Sequence, residues 1–253
     1  MKPHWPHIGH GRPPQLIADA LIAMLATSAG VLAVAASITL IGQASPAFVI
    51  AAPLGFGLIA AVVIFNLPAH PYPRFGMANC VTTARAGLTA LIGALAFEAD
   101  QLGTHAPTLA WLATGTAATA LSLDGLDGYA ARHRAEASRF GARFDMEIDA
   151  LLILLLCVLL HGSGKLGSWV YALGLMRYVF VVAQWLWPRL ADTPLPPSQR
   201  RKIVCVIQGL VLCTGLAPSV DASVASALAA GGLLALTGSF ALDMHYLIAS
   251  SRR

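Results

Sequence analysis

The sequence predicts an all-α fold, a polytopic bundle of helices that crosses a membrane. Hydrophobic residues make up 57% of the 253 residues and charged residues only 11%, and the mean hydropathy is +0.70. Soluble domains carry about 25% charged residues, so the composition argues against a water-soluble enzyme. Lipid leaves backbone groups without water partners, and strict two-residue alternation is absent, so helices are expected rather than a barrel.

Eight apolar runs account for the predicted helices, since crossing a bilayer takes about 20 residues. They cover residues 16–41, 48–67, 81–97, 107–123, 148–160, 167–186, 203–217 and 222–248. The third, fifth and seventh runs are short, so we expect each of them to extend into polar flanking residues. An even number of spans places both termini on the same side of the membrane.

The basic residues predict which side that is. With eight spans, nearly every lysine and arginine falls on the side of the termini, and the other side holds Lys165 with the acidic Glu98, Asp100 and Asp221. Cytoplasmic loops are enriched in lysine and arginine, so both termini are predicted to be cytoplasmic. The same bias explains the net charge of +4. Basic runs interleaved with aromatic residues are absent, which argues against a nucleic-acid partner.

Four aspartates at helical spacings form the main chemical motif. Asp124 and Asp127 are three residues apart at the end of the fourth run, and Asp145 and Asp149 are four apart near the start of the fifth. Both spacings place side chains on one helix face, so two neighbouring helices could direct four carboxylates into one space. Such a group needs a counter-charge, and Mg²⁺ or Mn²⁺, which share oxygen ligands with phosphates, would supply it. The alternative is a solvated acidic helix end paired with nearby arginines.

Two glycines in the same segment add to the motif. Gly128 and Gly141 lack a Cβ, which would let a nucleotide or phosphate approach the backbone. Close helix packing is the alternative explanation, because it is common in membrane proteins.

The segment resembles the signature of the CDP-alcohol phosphatidyltransferases, and every fixed position and spacing matches. The fixed positions are Asp124, Asp127, Gly128, Ala131, Arg132, Gly141, Asp145 and Asp149. Upstream, Asn79, Thr82 and Arg85 are similar to the family's N-x-x-T-x-x-R stretch. The resemblance covers about residue 75 to the C-terminus. It therefore divides the chain into residues 1–74, with a cytoplasmic tail and two extra helices, and residues 75–253, a six-helix family core.

The resemblance implies an enzyme of phospholipid synthesis. Such enzymes usually act on CDP-diacylglycerol: an alcohol hydroxyl attacks the phosphorus on the lipid side, and CMP leaves. Asp124, Asp127, Asp145 and Asp149 would bind two Mg²⁺ or Mn²⁺ ions, and Asp149 would also act as the general base. The expected nucleotide-binding residues are Asn79, Thr82, Gly128, Ala131, Arg132 and Gly141. The family also implies a homodimer, here expected in a bacterial inner (plasma) membrane with the site facing the cytoplasm.

Basic residues near the sixth and seventh runs suggest the acceptor. Arg177 lies inside the sixth run, where an arginine is costly and indicates function. Arg200, Arg201 and Lys202 open the seventh run. Arginine and lysine suit a phosphate, so we expect a phosphorylated alcohol such as glycerol 3-phosphate or inositol phosphate. Within the family, the chain would then resemble the phosphatidylglycerophosphate and phosphatidylinositol-phosphate synthases. A positive-inside anchor explains residues 200–202 about equally well.

Other functions stay open on the sequence alone. Choline is an alternative acceptor, as in phosphatidylcholine synthases, and so is the reverse arrangement, in which CDP carries choline or ethanolamine and diacylglycerol is the acceptor. A membrane transporter or a silent scaffold would not need an enzyme site. A transporter predicts ionisable residues near mid-membrane, whereas here they crowd one interface, and four intact aspartates argue against a scaffold.

Overall fold

The computed structural model describes residues 14–104, 107–134, 138–186 and 198–250. Within these ranges the backbone alone is described at 103–104, 125–134, 184–185 and 248–250. Eight long helices make up most of the described chain, which holds no strand. They are α1 (Pro14–Leu40), α2 (Pro46–Asn66), α3 (Met77–Ala94), α4 (Pro107–Arg134), α5 (Arg139–Gly162), α6 (Tyr171–Leu186), α7 (Gln199–Leu216) and α8 (Ala222–Ser250). Short 3₁₀ turns and the one-turn helix Gln101–Thr104 occupy parts of the connections.

Each predicted apolar run corresponds to one of these helices, so the predicted all-α class with eight helices is confirmed. Four segments are long and apolar enough to cross a membrane: Pro14–Leu40, Pro46–Ala69, Met77–Glu98 and Ala222–Leu247. Several helices of this kind make the chain an integral membrane protein. As expected, the short runs are extended by polar residues. The side on which the termini lie stays a prediction.

The largest extensions occur in α4 and α5. The fourth run was predicted to end at residue 123, but α4 continues to Arg134 and carries the first half of the aspartate motif as helix. The fifth run was predicted to begin at residue 148, but α5 begins at Arg139. Ser138 caps α5, since its hydroxyl accepts a hydrogen bond of 2.9 Å from the backbone N–H of Gly141. All four aspartates therefore lie on helices rather than in a loop.

Helix α3 connects the two extra N-terminal helices to the rest of the bundle. It packs against α1 and α2 and also against α4 and α5. The contact with α1 is close at Gly87, where a Cβ would lie 2.5 Å from Cγ2 of Thr27 and 3.1 Å from Cγ2 of Val31. The extra helices are thus packed directly against the helix that carries Asn79, Thr82 and Arg85.

The C-terminal half packs around α5. This helix contacts α3, α6 and α7, and α7 in turn contacts α4 and α8. Small residues bring the helices together: a Cβ at Gly174 would meet the backbone of Leu154 at 2.7 Å, and one at Gly209 would meet the side chain of Leu121 at 2.6 Å. This packing brings the aspartate-bearing parts of α4 and α5 to the same end of the bundle.

We call that part of the bundle the site end. It also holds the ion pair between Asp19 and Arg74, with N and O 3.4 Å apart. The opposite end, called the far end below, holds Glu98 and Lys165. There the carboxylate of Glu98 accepts hydrogen bonds from Ser45 of the α1–α2 connection, and Lys165 binds the α7–α8 connection.

Candidate metal and substrate site

Arg85 is the centre of the site. Its side chain is fully buried, with 0% exposure, although it carries a positive charge inside a membrane-spanning helix. Its Nη1 lies 3.1 Å from Oδ1 of Asp124 and also pairs with Asp145, and its Nη2 pairs with Asp149. Its Nε donates a hydrogen bond of 3.1 Å to the backbone carbonyl of Ala120. One side chain of α3 therefore contacts both α4 and α5.

The carboxylates of Asp124, Asp145 and Asp149 form a compact group of oxygen ligands. One oxygen from each lies within 4.8 Å of the others. The three side chains are 31%, 35% and 21% exposed, so they are partly open to solvent while Arg85 beneath them is not. Magnesium binds oxygen ligands at about 2.1 Å. Small inward movements would bring these oxygens onto one ion, so the donor set fits a hard divalent cation.

The charges of this group do not balance. Three carboxylates share the single guanidinium of Arg85 among the contacts that the described residues make. Two negative charges are left over if all three are ionised, and like charges this close destabilise one another. The excess is what a divalent cation would offset. Asp127 lies on α4 one turn beyond Asp124, and its side chain is outside the described residues.

A cavity of about 400 Å³ opens beside two of the carboxylates. Asp124 and Asp149 belong to its wall, while most of the remaining wall is apolar. That remainder comes from α4, α5 and α7: Ala118, Leu121, Ser122, Leu152, Ile153, Cys205, Val206, Gly209, Leu210, Cys213 and Thr214. The cavity thus joins an anionic surface to an apolar one within the bundle.

The predicted nucleotide residues Asn79 and Gly141 lie in contact. A Cβ built on Gly141 would lie 2.8 Å from Oδ1 of Asn79 and 3.2 Å from Oγ of Ser138. Any larger residue at position 141 would displace the buried Asn79 amide, which donates to Nε2 of His70 at 3.0 Å and to the Phe75 carbonyl. The glycine is therefore required by this packing.

The other predicted nucleotide residues are only partly described. Thr82 is buried and its hydroxyl donates to the carbonyl of Ala78 at 3.0 Å. Gly128, Ala131 and Arg132 continue α4 after the aspartates, and their side chains lie outside the described residues. Their predicted roles are not tested by the structure.

His70 supports this region from the connection between α2 and α3. Its imidazole packs edge-on against Phe140, with ring centroids 5.3 Å apart. Burial lowers the pKa of His70 below the usual 6.5, against an opposing hydrogen bond with the backbone of Tyr72. In a neutral ring Nε2 can accept a hydrogen bond from the Asn79 amide N–H, whereas in a protonated ring Nε2 is itself a donor. His70 thus helps to fix Asn79 against Gly141.

The predicted acceptor residues form ion pairs of their own. Nη2 of Arg177 lies 2.6 Å from Oε1 of Glu147 on α5. The side chain of Asp243 on α8 receives Nη2 of Arg200 at 2.5 Å and Nη1 of Arg201 at 3.1 Å. Lys202 is exposed. Two buried donor atoms in this group, Nε of Arg177 and Nη1 of Arg200, have no hydrogen-bond partner among the described residues.

Together these features define a class of protein: an integral membrane helix bundle with a carboxylate site for a divalent cation at one end. The model of the CDP-alcohol phosphatidyltransferase family matches residues 75–239, about two thirds of the chain, and the chain belongs to this family. No curated protein and no solved structure matches it. The family consists of phosphotransferases that use divalent metal ions, so the predicted transferase of phospholipid synthesis is confirmed, and the transporter and scaffold alternatives are set aside.

Sequence reasoning missed how the site balances its charge. Arg85 was predicted as part of a motif but received no role in the carboxylate group. An arginine inside an apolar run is costly and indicates function. This argument was applied to Arg177, and it applies equally to Arg85 in the third run. His70, Glu147 and Asp243 were also not expected as partners, because no local spacing indicates such long-range contacts.

Proposed function

We propose that this enzyme transfers the phosphatidyl group of CDP-diacylglycerol to a phosphorylated alcohol and releases CMP. The observation that carries the proposal is the convergence of Asp124, Asp145 and Asp149 in a chain of this family. A phosphoryl transfer depends mainly on charge neutralisation and positioning, and divalent ions held by a carboxylate group of this kind would provide both.

In the proposed reaction Asp149 takes the proton. The acceptor hydroxyl attacks the phosphorus that bears the diacylglycerol, the bond from that phosphorus to the oxygen of the CMP phosphate breaks, and the hydroxyl proton passes to the Asp149 carboxylate. Asp124, Asp127 and Asp145, with Asp149, would hold two Mg²⁺ or Mn²⁺ ions. When bound, these ions would supply positive charge to the diphosphate. Asp149 suits the role because it is the least exposed of the three described carboxylates.

The cytidine end is assigned to the region around Gly141. Asn79 and Thr82 on α3, Gly141 on α5, and Gly128, Ala131 and Arg132 on α4 are the proposed nucleotide residues. The contact between Asn79 and Gly141 supports this assignment, because it places two of these residues, one from α3 and one from α5, side by side. The diacylglycerol portion would extend toward the apolar wall of the 400 Å³ cavity.

A phosphorylated acceptor, such as glycerol 3-phosphate or inositol phosphate, is favoured by the basic residues Arg177, Arg200, Arg201 and Lys202. Nε of Arg177 and Nη1 of Arg200 are buried donors without a partner among the described residues. A buried donor costs free energy until it is satisfied, and phosphate oxygens are strong acceptors for arginine. Both arginines also have carboxylate partners, Glu147 and Asp243, which would orient them.

The enzyme is proposed to act at the cytoplasmic face of a bacterial inner membrane, as a homodimer. The site end carries the basic residues that mark cytoplasmic loops. This placement would give the water-soluble acceptor and the CDP head group access from the cytoplasm while the acyl chains stay in lipid. Residues 1–74 are proposed as a unit added to the six-helix core of residues 75–253.

The proposal is tested by CMP release from CDP-diacylglycerol with Mn²⁺ or Mg²⁺ across a panel of acceptors. The panel holds glycerol 3-phosphate, inositol phosphate, inositol, serine and choline, and the lipid product is identified by mass spectrometry. We expect release with one phosphorylated alcohol and none with its unphosphorylated counterpart. Product from choline alone would contradict the assignment of the basic residues. Product only from CDP-choline or CDP-ethanolamine with diacylglycerol would reverse the substrate assignment.

A further inference from the structure

Arg85 is a buried cation whose partners are the carboxylates that the proposed function reserves for metal ions. A buried charge normally requires a dedicated partner, because removing one partner of a buried pair leaves an uncompensated charge. Arg85 is fully buried and forms ion pairs with three members of this group, Asp124, Asp145 and Asp149. The Arg85 side chain therefore contributes both to the stability of the fold and to the arrangement of the site.

We propose that Arg85 is a positioning residue that acts as a resident counter-charge for the metal site. It holds the three carboxylates together before a divalent cation enters, so that the site is formed in the metal-free enzyme. This role rests on the proposed function, because it requires that the carboxylates bind metal ions. It adds a role for a residue of the third helix to a ligand set that comes from the fourth and fifth.

The geometry of the Arg85 guanidinium indicates that it positions the three carboxylates and does not merely offset their charge. Nε is fixed by the Ala120 carbonyl, one helical turn before Asp124 on α4. With Nε held there, the fork of Nη1 and Nη2 lies between α4 and α5, and reaches Asp124 on one helix and Asp145 and Asp149 on the other. The planar guanidinium presents its donors at fixed angles, which the single ammonium of lysine cannot reproduce.

The Arg85 guanidinium and a divalent metal ion would therefore both offset the negative charge of the same carboxylates. Arg85 offsets one of three negative charges, and the remainder attracts a divalent ion. If Arg85 is removed, the carboxylates repel one another in the absence of metal, and metal binding should then compensate for the loss. This predicts that the stability of the protein depends on divalent cations much more strongly without Arg85 than with it.

The test measures thermal unfolding of the full-length protein in detergent, with EDTA or with millimolar Mn²⁺. Wild type is compared with Arg85→Gln, Arg85→Lys and the control Arg74→Gln, which removes an exposed arginine with one ion pair of 3.4 Å. In EDTA we expect Arg85→Gln to unfold at least about 5 °C below wild type, since each kcal/mol shifts the Tm of a chain this long by about 2–4 °C. Mn²⁺ should restore most of that shift, Arg85→Lys should lie between the two, and Arg74→Gln should follow wild type.

An equal Tm loss with and without Mn²⁺, or no loss in EDTA, would overturn the proposal, because a packing role would not depend on the ion. If Arg85→Gln yields no folded protein, the double variant Arg85→Gln/Asp145→Asn decides, since it removes one charge of each sign. A folded double variant supports the counter-charge role, and an unfolded one contradicts it. These readouts do not use CMP release, so a failure of the proposed reaction would be seen separately.

Discussion

The two ends of the bundle satisfy their buried charges in opposite ways. At the far end, Nζ of Lys165 donates to the carbonyls of Gly215, Ala217 and Val220, at 3.1, 2.6 and 2.9 Å. At the site end, one guanidinium is shared by three carboxylates. The far-end cation thus has three backbone acceptors of its own, whereas the part of the site that the structure describes brings three carboxylates to one cation.

Glu98 is a carboxylate of the far end, and its partners differ from those of the site carboxylates. It is only 2% exposed, yet its oxygens accept hydrogen bonds from the N–H of Ser45 at 3.0 Å, from the hydroxyl of the same residue, and from the amide of Gln101 at 2.7 Å. A carboxylate with this set of donors closes the α1–α2 connection onto the end of α3. Among the described residues, Lys165 and Glu98 thus bind groups of the connections between helices, whereas the charged residues of the site bind one another.

The largest expected effect follows from replacing Asp149 with asparagine. The change keeps the shape of the side chain but removes the negative charge and the proton acceptor. We expect CMP release to fall by about 10²–10⁴-fold, as is usual for the loss of a general base. The control is Asp100→Asn, the same chemical change at an exposed position of the far end. A similar fall in CMP release in both variants would contradict the distinction between a functional site end and a structural far end.

The second effect concerns the contact between Gly141 and Asn79. Gly141→Ala places a methyl group 2.8 Å from Oδ1 of Asn79, whose amide is held by His70 and Phe75. We expect KM for the CDP-lipid to rise by about tenfold, on the order of 1.4 kcal/mol, with a smaller change in kcat. Gly115→Ala on α4 is the matched control, because a Cβ there meets nothing within 4 Å. An unchanged KM in Gly141→Ala would remove position 141 from the nucleotide site.

The third effect lies at the far end and concerns stability. Lys165→Met leaves three carbonyls without their donor, which should lower the free energy of unfolding by about 1–3 kcal/mol. The activity of the folded fraction should stay close to that of wild type. Thermal unfolding and CMP release are measured on the same preparation, with Arg139→Met as a control for loss of an exposed cation. A variant of normal stability and reduced turnover would contradict a structural role for Lys165.

The smallest effect is a pH dependence that comes from His70. Burial lowers its pKa in the folded state below 6.5, so the unfolded chain binds a proton first as the pH falls. Linkage then makes the folded state lose stability as the pH drops below about 6.5. Unfolding measured from pH 7.5 to 5 should show a flatter slope in His70→Phe than in wild type. Identical slopes would show that the pKa of His70 is the same in the folded and the unfolded chain.

The sequence was sufficient to predict the helices and to bring the aspartates of α4 and α5 to one place, but not to predict how Arg85 pairs with them. Apolar runs indicate helices because lipid leaves the backbone no other partners, and spacings of three and four residues place aspartates on one face. Local spacing does not indicate contacts between distant helices. Arg85 contacts Asp145 and Asp149 across 60 and 64 residues, and Arg200 reaches Asp243 across 43.

The ends of the helices illustrate the same limit. The fourth run was predicted to end at residue 123 because hydropathy ends where charge begins, and the fifth was expected to extend into polar residues without a defined start. In the structure, α4 and α5 continue through the charged residues to Arg134 and from Arg139. Polar residues at a membrane surface can continue a helix, since water and partner side chains satisfy them. A charged helix extension of this kind is where the site is built.

We propose that the carboxylates of the site end, whose negative charge Arg85 offsets only in part, support metal-dependent release of CMP. It is tested most directly by adding EDTA, and then excess Mn²⁺ or Mg²⁺, to purified wild-type protein turning over CDP-diacylglycerol with its acceptor. We expect CMP release to stop after chelation and to return with the divalent ion, while the protein remains folded because Arg85 holds the carboxylates. Full activity after thorough chelation would contradict it.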